Sequence, residues 1–253
     1  MTHLTAIVLT YNEAEHIGAC LETLTFADER IVFDSYSPDD TCKIARAQGA
    51  TILQHQFENF ASQRNAALDA VADKTDWVLF VDADERVPIA LAEEIRLCIK
   101  DEQYNGYQIP RHNYIFGKLT TGAGWYPDYQ TRLFKVGYAH YENPVHEVVV
   151  LDGERGTLTE HFTHYNYKDL DHFHSKQRKY VQYDAQILFN QGIRPRPQNY
   201  ILQPLRHFRW RFLELEGYRD GWHGLRLSML MAWYELQKYM TLHQLWQKYN
   251  NEA

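Results

Sequence analysis

Apolar and polar positions alternate in a regular order over the first hundred residues. Residues Leu4–Thr10 form an apolar run with aliphatic side chains at both odd and even positions, the pattern of a strand buried on both faces. The run stops at Tyr11, Asn12 and Glu13, after which Ile17, Leu21 and Leu24 recur at helical spacing. The alternation then repeats. Residues 30–34 predict a second strand, and the polar turn at 35–40 leads into a helix carrying Ile44 and Ala45. Residues 50–53 predict a third strand, followed by a helix over 58–72 with Phe60, Leu68 and Val71. Residues 77–81 predict a fourth, after which Pro88 opens another helix at a position where proline is tolerated. Four successive βα units predict an α/β fold with a parallel sheet covered by helices on both faces.

From about residue 104 the chain becomes irregular and richer in Gly, Tyr and His. Residues 106–109, 131–134 and 145–151 read as short strands, expected to extend the same sheet in antiparallel fashion. From 167 onward the pattern is helical, basic and aromatic, broken at Arg194-Pro195-Arg196-Pro197. The expected division is therefore residues 1–166 as a catalytic domain and 167–253 as a helical extension. No internal repeat interrupts this reading.

Composition adds three constraints. At 45% hydrophobic and 23% charged over 253 residues, the chain has the make-up of a folded globular protein. Cys20, Cys42 and Cys98 are odd in number and lack metal-finger spacing, which points to a reducing compartment. No apolar run is long enough to span a bilayer, and no basic lead precedes Leu4, so no signal peptide is expected. The net charge of -7 is uneven. Residues 1–166 hold 13 Lys and Arg against 25 Asp and Glu, and residues 167–253 hold 13 against 8. The acidic front argues against a nucleic-acid surface there.

Chemistry concentrates where strands end. Asp82 and Asp84 follow the fourth strand, and on an extended chain they project to one side. Two hard oxygen ligands at a strand's carboxyl end suit Mg²⁺ or Mn²⁺ bridging a diphosphate, although an ordinary acidic turn is the plainer use of such a short motif. Thr10, Tyr11 and Glu13 at the end of strand one, and Asp34 at the end of strand two, line the same edge of a parallel sheet. Tyr11 offers a face to a nucleobase and Asp34 an acceptor to a uracil N–H, although a partly buried aromatic and a helix cap are the plainer uses of the same residues. Arg64 reaches either a phosphate or solvent.

The ordered set Thr10-Tyr11-Asn12-Glu13, Phe26-Ala27-Asp28-Glu29, Asp34-Ser35 with Asp40-Thr41, Asn59-Phe60-Ala61, Gln63-Arg64-Asn65 and residues 77–85 resembles glycosyltransferase family 2. The likeness to bacterial lipopolysaccharide-core glucosyltransferases continues through Arg132-Leu133-Phe134, Val145-His146-Glu147 and Tyr167-Lys168-Asp169-Leu170-Asp171-His172. It implies a GT-A fold, a Rossmann-like mixed sheet flanked by helices. It also implies a UDP-sugar donor, a divalent cation and inversion at the anomeric carbon, with glucose passing from UDP-glucose to a heptose of the inner core. Inverting transfer needs a carboxylate base and a cation for the leaving diphosphate. Asp84 and Asp82 are expected to hold the metal with His146, and Glu147 is the first choice of base, with Asp128 its rival. The family's Glu-Asp and Gln/Arg-x-x-Arg-Trp signatures are not evident here.

Other patterns carry less. His161, His164, His172 and His174 lack catalytic zinc spacing and read as surface histidines near an anionic ligand. Gly122-Ala123-Gly124 is no dinucleotide fingerprint. In the rear half, Arg206, Arg209 and Arg211 among aromatics, followed by the apolar stretch 221–231, suit an anionic membrane interface, or else packing onto the catalytic part or a second subunit. The combined expectation is a cytoplasmic enzyme peripheral to the inner membrane, with a lipid-linked saccharide as acceptor. A glycosyltransferase with another nucleotide sugar or acceptor, a sugar nucleotidyltransferase and a non-catalytic membrane-binding module are the alternatives.

Overall fold

The structure is a computed structural model that describes residues 2–101, 103–143 and 148–252. Its elements in chain order are β1 (Leu4–Thr10), α1 (Ile17–Glu22), β2 (Glu29–Asp34), α2 (Thr41–Ala47), β3 (Thr51–Gln54), α3 (Phe60–Asp69), β4 (Trp77–Asp82), β5 (Glu85–Arg86) and α4 (Ile89–Cys98). There follow β6 (Gly106–Ile115), β7 (Lys118–Thr120), β8 (Tyr129–Lys135), β9 (Ala139–Glu142), β10 (Val148–Leu151), β11 (Arg155–Thr157), β12 (Phe162–Tyr167), α5 (Leu170–Asn190), α6 (Asn199–Arg209) and α7 (Trp222–Glu252). They form two compact units: residues up to Arg111 with Tyr129–His164, and His112–Asp128 with residues from Tyr165 onward.

In the first unit, β1 lies parallel between β2 and β4, and β3 extends the sheet beyond β2. β8 joins β4 antiparallel, and the first half of β6 joins β8. The period of two on β1 and β4 explains why both faces are covered. Leu4, Ala6, Val8, Leu79 and Val81 pack with Ile17, Leu21, Ala45, Leu91 and Ile95, from α1, α2 and α4. Ile7, Val78 and Phe80 point the other way, to Ala61, Ala67 and Val71 on the α3 side. Full burial of each larger aliphatic or aromatic side chain contributes roughly 1.5–3 kcal/mol. Helix α3 starts where Asn59 Oδ1 accepts the Ser62 N–H at 2.9 Å, a side-chain cap for an otherwise orphaned donor.

Two strand expectations change. β6 runs on to Ile115 instead of ending at 109. Residues 148–151 do not extend the main sheet: they pair with β9 in a separate two-stranded sheet, Val149 opposite Tyr141. The pair is tied to α3 by Asn65, whose amide exchanges hydrogen bonds of 2.9 and 2.8 Å with the Tyr141 backbone. Residues 145–147 lie outside the described residues.

The second unit is mainly helical. Its core joins Ile115, Tyr167, Phe173, Val181, Leu227 and Tyr234. α5 is capped by Asp169, which accepts the His172 N–H at 2.8 Å. The Arg194–Pro197 break expected from sequence falls between α5 and α6. Asp220 accepts hydrogen bonds from the Thr121 and Gly122 N–H groups. A Cβ at Gly122 would stand 2.4 Å from the Glu216 carbonyl oxygen, so this loop requires glycine for close backbone approach. No described helix is long and apolar enough to cross a membrane.

Candidate active site

The parallel register brings the first group of site residues together. Thr10 lies opposite Asp34, and Leu9 opposite Asp82, so the carboxyl ends of β1, β2 and β4 meet on one edge. Asp34 is buried and accepts hydrogen bonds from Thr10 Oγ1 (2.9 Å), Ser37 N–H (2.9 Å), Ser37 Oγ (2.5 Å) and Gln54 Nε2 (3.2 Å). Burial works against its charge, yet hydrogen bonds from Ser37, Gln54 and Cys42 outweigh it and hold the carboxyl below the usual range. Both oxygens are engaged, so a uracil N–H would have to displace one of these donors.

The loops beyond are stitched to one another. Asn12 N–H donates to Ser37 Oγ (2.9 Å), Glu13 N–H to Thr41 Oγ1 (2.8 Å) and Ala14 N–H to Asp39 Oδ2 (3.2 Å). Asn12 and Tyr36 both adopt positive φ, 60° and 59°, and the rings of Tyr11 and Tyr36 are each more than half exposed. For a tyrosine that backbone is uncommon. These loops thus form a hydrogen-bonded polar surface beside two exposed tyrosines.

The second group surrounds the end of β4. The chain turns at Ala83 and Asp84 before β5, so Asp82 and Asp84 do not project together as an extended chain would have them. Asp82 Oδ1 receives Arg64 Nη2 at 3.2 Å, and Asp82 Oδ2 pairs with Arg132. Burial disfavours its charge, but Arg132, Arg64, Arg111 and His164 outweigh it and hold the carboxyl well below the usual range. Each Asp82 oxygen thus faces a guanidinium, the arrangement of a counter-ion. Arg64 is buried with its guanidinium over the Phe80 and Tyr141 rings, at 5.1 and 5.3 Å; it lies neither on a solvated helix face nor open to solvent. Glu85 is fully buried, accepts the Asp82 N–H (2.9 Å) and pairs with Arg111 (3.3 Å). Burial and the Asp82 charge push its carboxyl up.

Asp84 has a different neighbour, His164 Nε2 at 3.4 Å from its Oδ2. His164 is 6% exposed, which corrects its reading as a surface histidine: β12 pairs with β5, His164 opposite Glu85, and so carries the ring inward. Among the described residues no three His, Cys, Asp or Glu side chains converge on one cation position. A carboxylate oxygen and an imidazole nitrogen 3.4 Å apart nevertheless fit adjacent ligands of Mg²⁺ or Mn²⁺, whose remaining positions go to water and phosphate oxygens, with ligand spacing of roughly 3 Å.

Asp128 belongs to the second unit, in the loop before β8. Asn113 Nδ2 donates to its Oδ2 (3.1 Å) and to the Trp125 carbonyl (2.8 Å), which fixes the loop and the carboxylate together. His146 and Glu147 lie outside the described residues. Arg132, Arg111, Glu85, Ser37 and Asn113 carry no assigned role in the sequence reading, and His164 is read there only as a surface histidine. Arg132 and Glu85 do fall within the quoted motifs, and His164 within the histidine group.

The Asp82 pairs yield a stability prediction. Arg132→Met is expected to cost about 2 kcal/mol, below the loss for a fully buried pair because Asp82 keeps Arg64 and some solvent. Asp82→Asn in that background should recover part of it. A depressed carboxyl contributes fully above its unfolded pKa of about 4 and loses its contribution as pH falls through the folded value. The difference between native and Arg132→Met chains in urea unfolding should therefore narrow below about pH 4; a constant difference would contradict the ion-pair account.

Comparison with known proteins agrees with this geometry. The family model described as "Glycosyl transferase family 2" matches residues 5–154. The chain is 26% identical over 259 residues to the lipopolysaccharide core biosynthesis glycosyltransferase LpsC of Rhizobium meliloti (strain 1021), covering 99% of this chain and 94% of that protein. It is 27% identical to an uncharacterized glycosyltransferase of Rickettsia bellii (strain RML369-C), over 96% and 86% of the two chains. Among solved structures, the mannosyltransferase PcManGT from Pyrobaculum calidifontis, in complex with GDP-Man and Mn²⁺, superposes with a TM-score of 0.57 at 16% identity, covering 97% of this chain and 88% of that one. The mixed sheet with its flanking helices is thus the GT-A fold, and the chain belongs to glycosyl transferase family 2.

Proposed function

We propose that the chain transfers a hexose, glucose from UDP-glucose, with inversion onto a heptose of a lipid-linked lipopolysaccharide-core acceptor at the cytoplasmic face of the inner membrane. The observation that carries the reading is the pairing of Asp84 with His164 beside an arginine-held Asp82, at the end of β4. The near full-length likeness to LpsC supports the acceptor class. Family membership favours transfer to an acceptor over nucleotidyl transfer or a non-catalytic membrane module.

Asp84 and His164 would hold a Mg²⁺ or Mn²⁺ ion. That ion would supply positive charge to the departing diphosphate. Arg64 and Arg132 lock Asp82, and Glu85 takes the Asp82 N–H, so the turn carrying Asp84 is pre-set before donor arrives. Tyr11 and Tyr36 present faces to the nucleobase, while Thr10, Glu13 and Asp34 hold the loops beneath it. Asp128, oriented by Asn113, accepts the acceptor hydroxyl's proton as that oxygen attacks the anomeric carbon; Glu147 is the competing base.

A thermal-shift series tests the donor. UDP and UDP-glucose at about a hundredfold excess over Kd should raise Tm by on the order of 5–10 °C, more with Mn²⁺ than without. GDP-mannose, the ligand of the Pyrobaculum enzyme, should do less. Equal shifts from uridine and guanosine nucleotides would remove the uracil preference, and equal shifts with and without Mn²⁺ would remove the metal.

A further inference from the structure

Helix α6 is amphipathic with its sides reversed. Ile201, Leu202 and Leu205 are 65, 52 and 60% exposed, and Leu213 in the following turn is 54% exposed. No residue of α6 is buried. Its inner side instead carries Gln203 and His207 among Tyr200, Pro204 and Phe208, all only half-buried. His207 Nδ1 lies 3.8 Å from Glu235 Oε2 of α7, and Arg211 just beyond donates to the Ala123 carbonyl at 2.7 Å, with its guanidinium between the Trp125 and Trp210 rings. A surface helix of a globular protein ordinarily turns its apolar stripe to the core. A clustered exposed patch of this kind marks a docking surface.

The charge around the patch decides what docks. Residues 185–213 contain five arginines and neither Asp nor Glu. A cavity of about 490 Å³ beside the helix is lined by Arg206, His207, Arg209 and Trp210 together with Glu214 and Glu235. Arg209 reaches Glu214 at 3.0 Å, both well exposed. A second copy meeting this face across a two-fold axis would set arginine against arginine. Aliphatic side chains flanked by arginines and an exposed Trp210 instead match acyl chains below a layer of anionic headgroups.

We propose that the outer face of α6, with Ile201, Leu202, Leu205 and Leu213 as apolar anchors and Arg206 and Arg209 as cations, docks in the plane of an anionic lipid surface. Arg211, grouped with these cations in the sequence reading, is turned inward and takes no part. The proposal rests on the second unit alone and is independent of the donor and acceptor named above.

Co-sedimentation of the full chain with vesicles of phosphatidylcholine, with and without phosphatidylglycerol, tests it. The native chain should pellet with the anionic vesicles and be released as salt rises. The triple variant Ile201→Ser, Leu202→Ser, Leu205→Ser should bind about tenfold more weakly or worse. Arg206→Ser and Arg209→Ser should each cost about fivefold and flatten the salt dependence. All these side chains are exposed, so Tm and the nucleotide-induced shift should match the native chain, which separates loss of docking from loss of fold or of donor binding. A native chain that stays in the supernatant, or a triple variant that pellets like it, would overturn the proposal. So would sedimentation velocity showing a dimer that the triple variant splits while vesicle binding is absent; the face would then be a contact between copies.

Discussion

An Asp84→Asn chain should keep its fold and lose transfer by about three orders of magnitude or more, the scale of removing one charge stabiliser of a leaving group. Asp84 pairs with His164 and asparagine fills nearly the same volume, so the Arg64–Asp82–Arg132 cluster and the β4 packing should stay in place. His164→Ala should cost less, since a neutral imidazole is the weaker of the two ligands for a hard cation. If both act on one ion, the double variant should be little worse than Asp84→Asn alone, because residues acting as a unit are not additive. Initial rates of UDP release with saturating acceptor, together with calorimetric Mn²⁺ binding in the presence of UDP, measure both effects. Near-native turnover by Asp84→Asn would remove the assignment of the metal site. Fully additive losses would mean that His164 acts elsewhere.

Turnover should fall by about two to four orders of magnitude in Asp128→Asn while UDP binding is retained, as loss of a general base requires. The amide keeps the shape and can still meet Asn113, so the loop from Trp125 to Asp128 should remain in place. The activity that remains should also lose the acid limb of its pH profile, since that limb reports ionisation of the base. Glu147→Gln is the matching comparison. If it produces the loss and Asp128→Asn does not, the proton goes to Glu147. Asn113→Ala should lower kcat with little change in the KM for donor, a split that separates positioning of the base from binding of the nucleotide.

The sequence by itself determined the order of strands and helices in the first half, because strands buried on both faces and helices with one apolar stripe leave different periods along the chain. It also determined that Thr10, Asp34 and Asp82 would share an edge, since parallel strands end on the same side of the sheet. The Arg194–Pro197 break is a local signal of the same kind. Partners were another matter. That Asp82 belongs to Arg64 on α3 and Arg132 on β8, 18 and 50 residues away, and that His164 belongs to Asp84, depended on elements distant in the chain. β8 lies against β4 and β12 against β5, and an ion pair between residues so far apart leaves no periodicity in the chain. Strand partnership likewise decided that residues 148–151 pair with β9 in a separate two-stranded sheet instead of widening the main one. α6 shows the limit most directly. Its apolar and polar stripes are legible from spacing alone, but spacing is symmetrical with respect to inside and outside, and only packing against α7 decided that Ile201, Leu202 and Leu205 face outward.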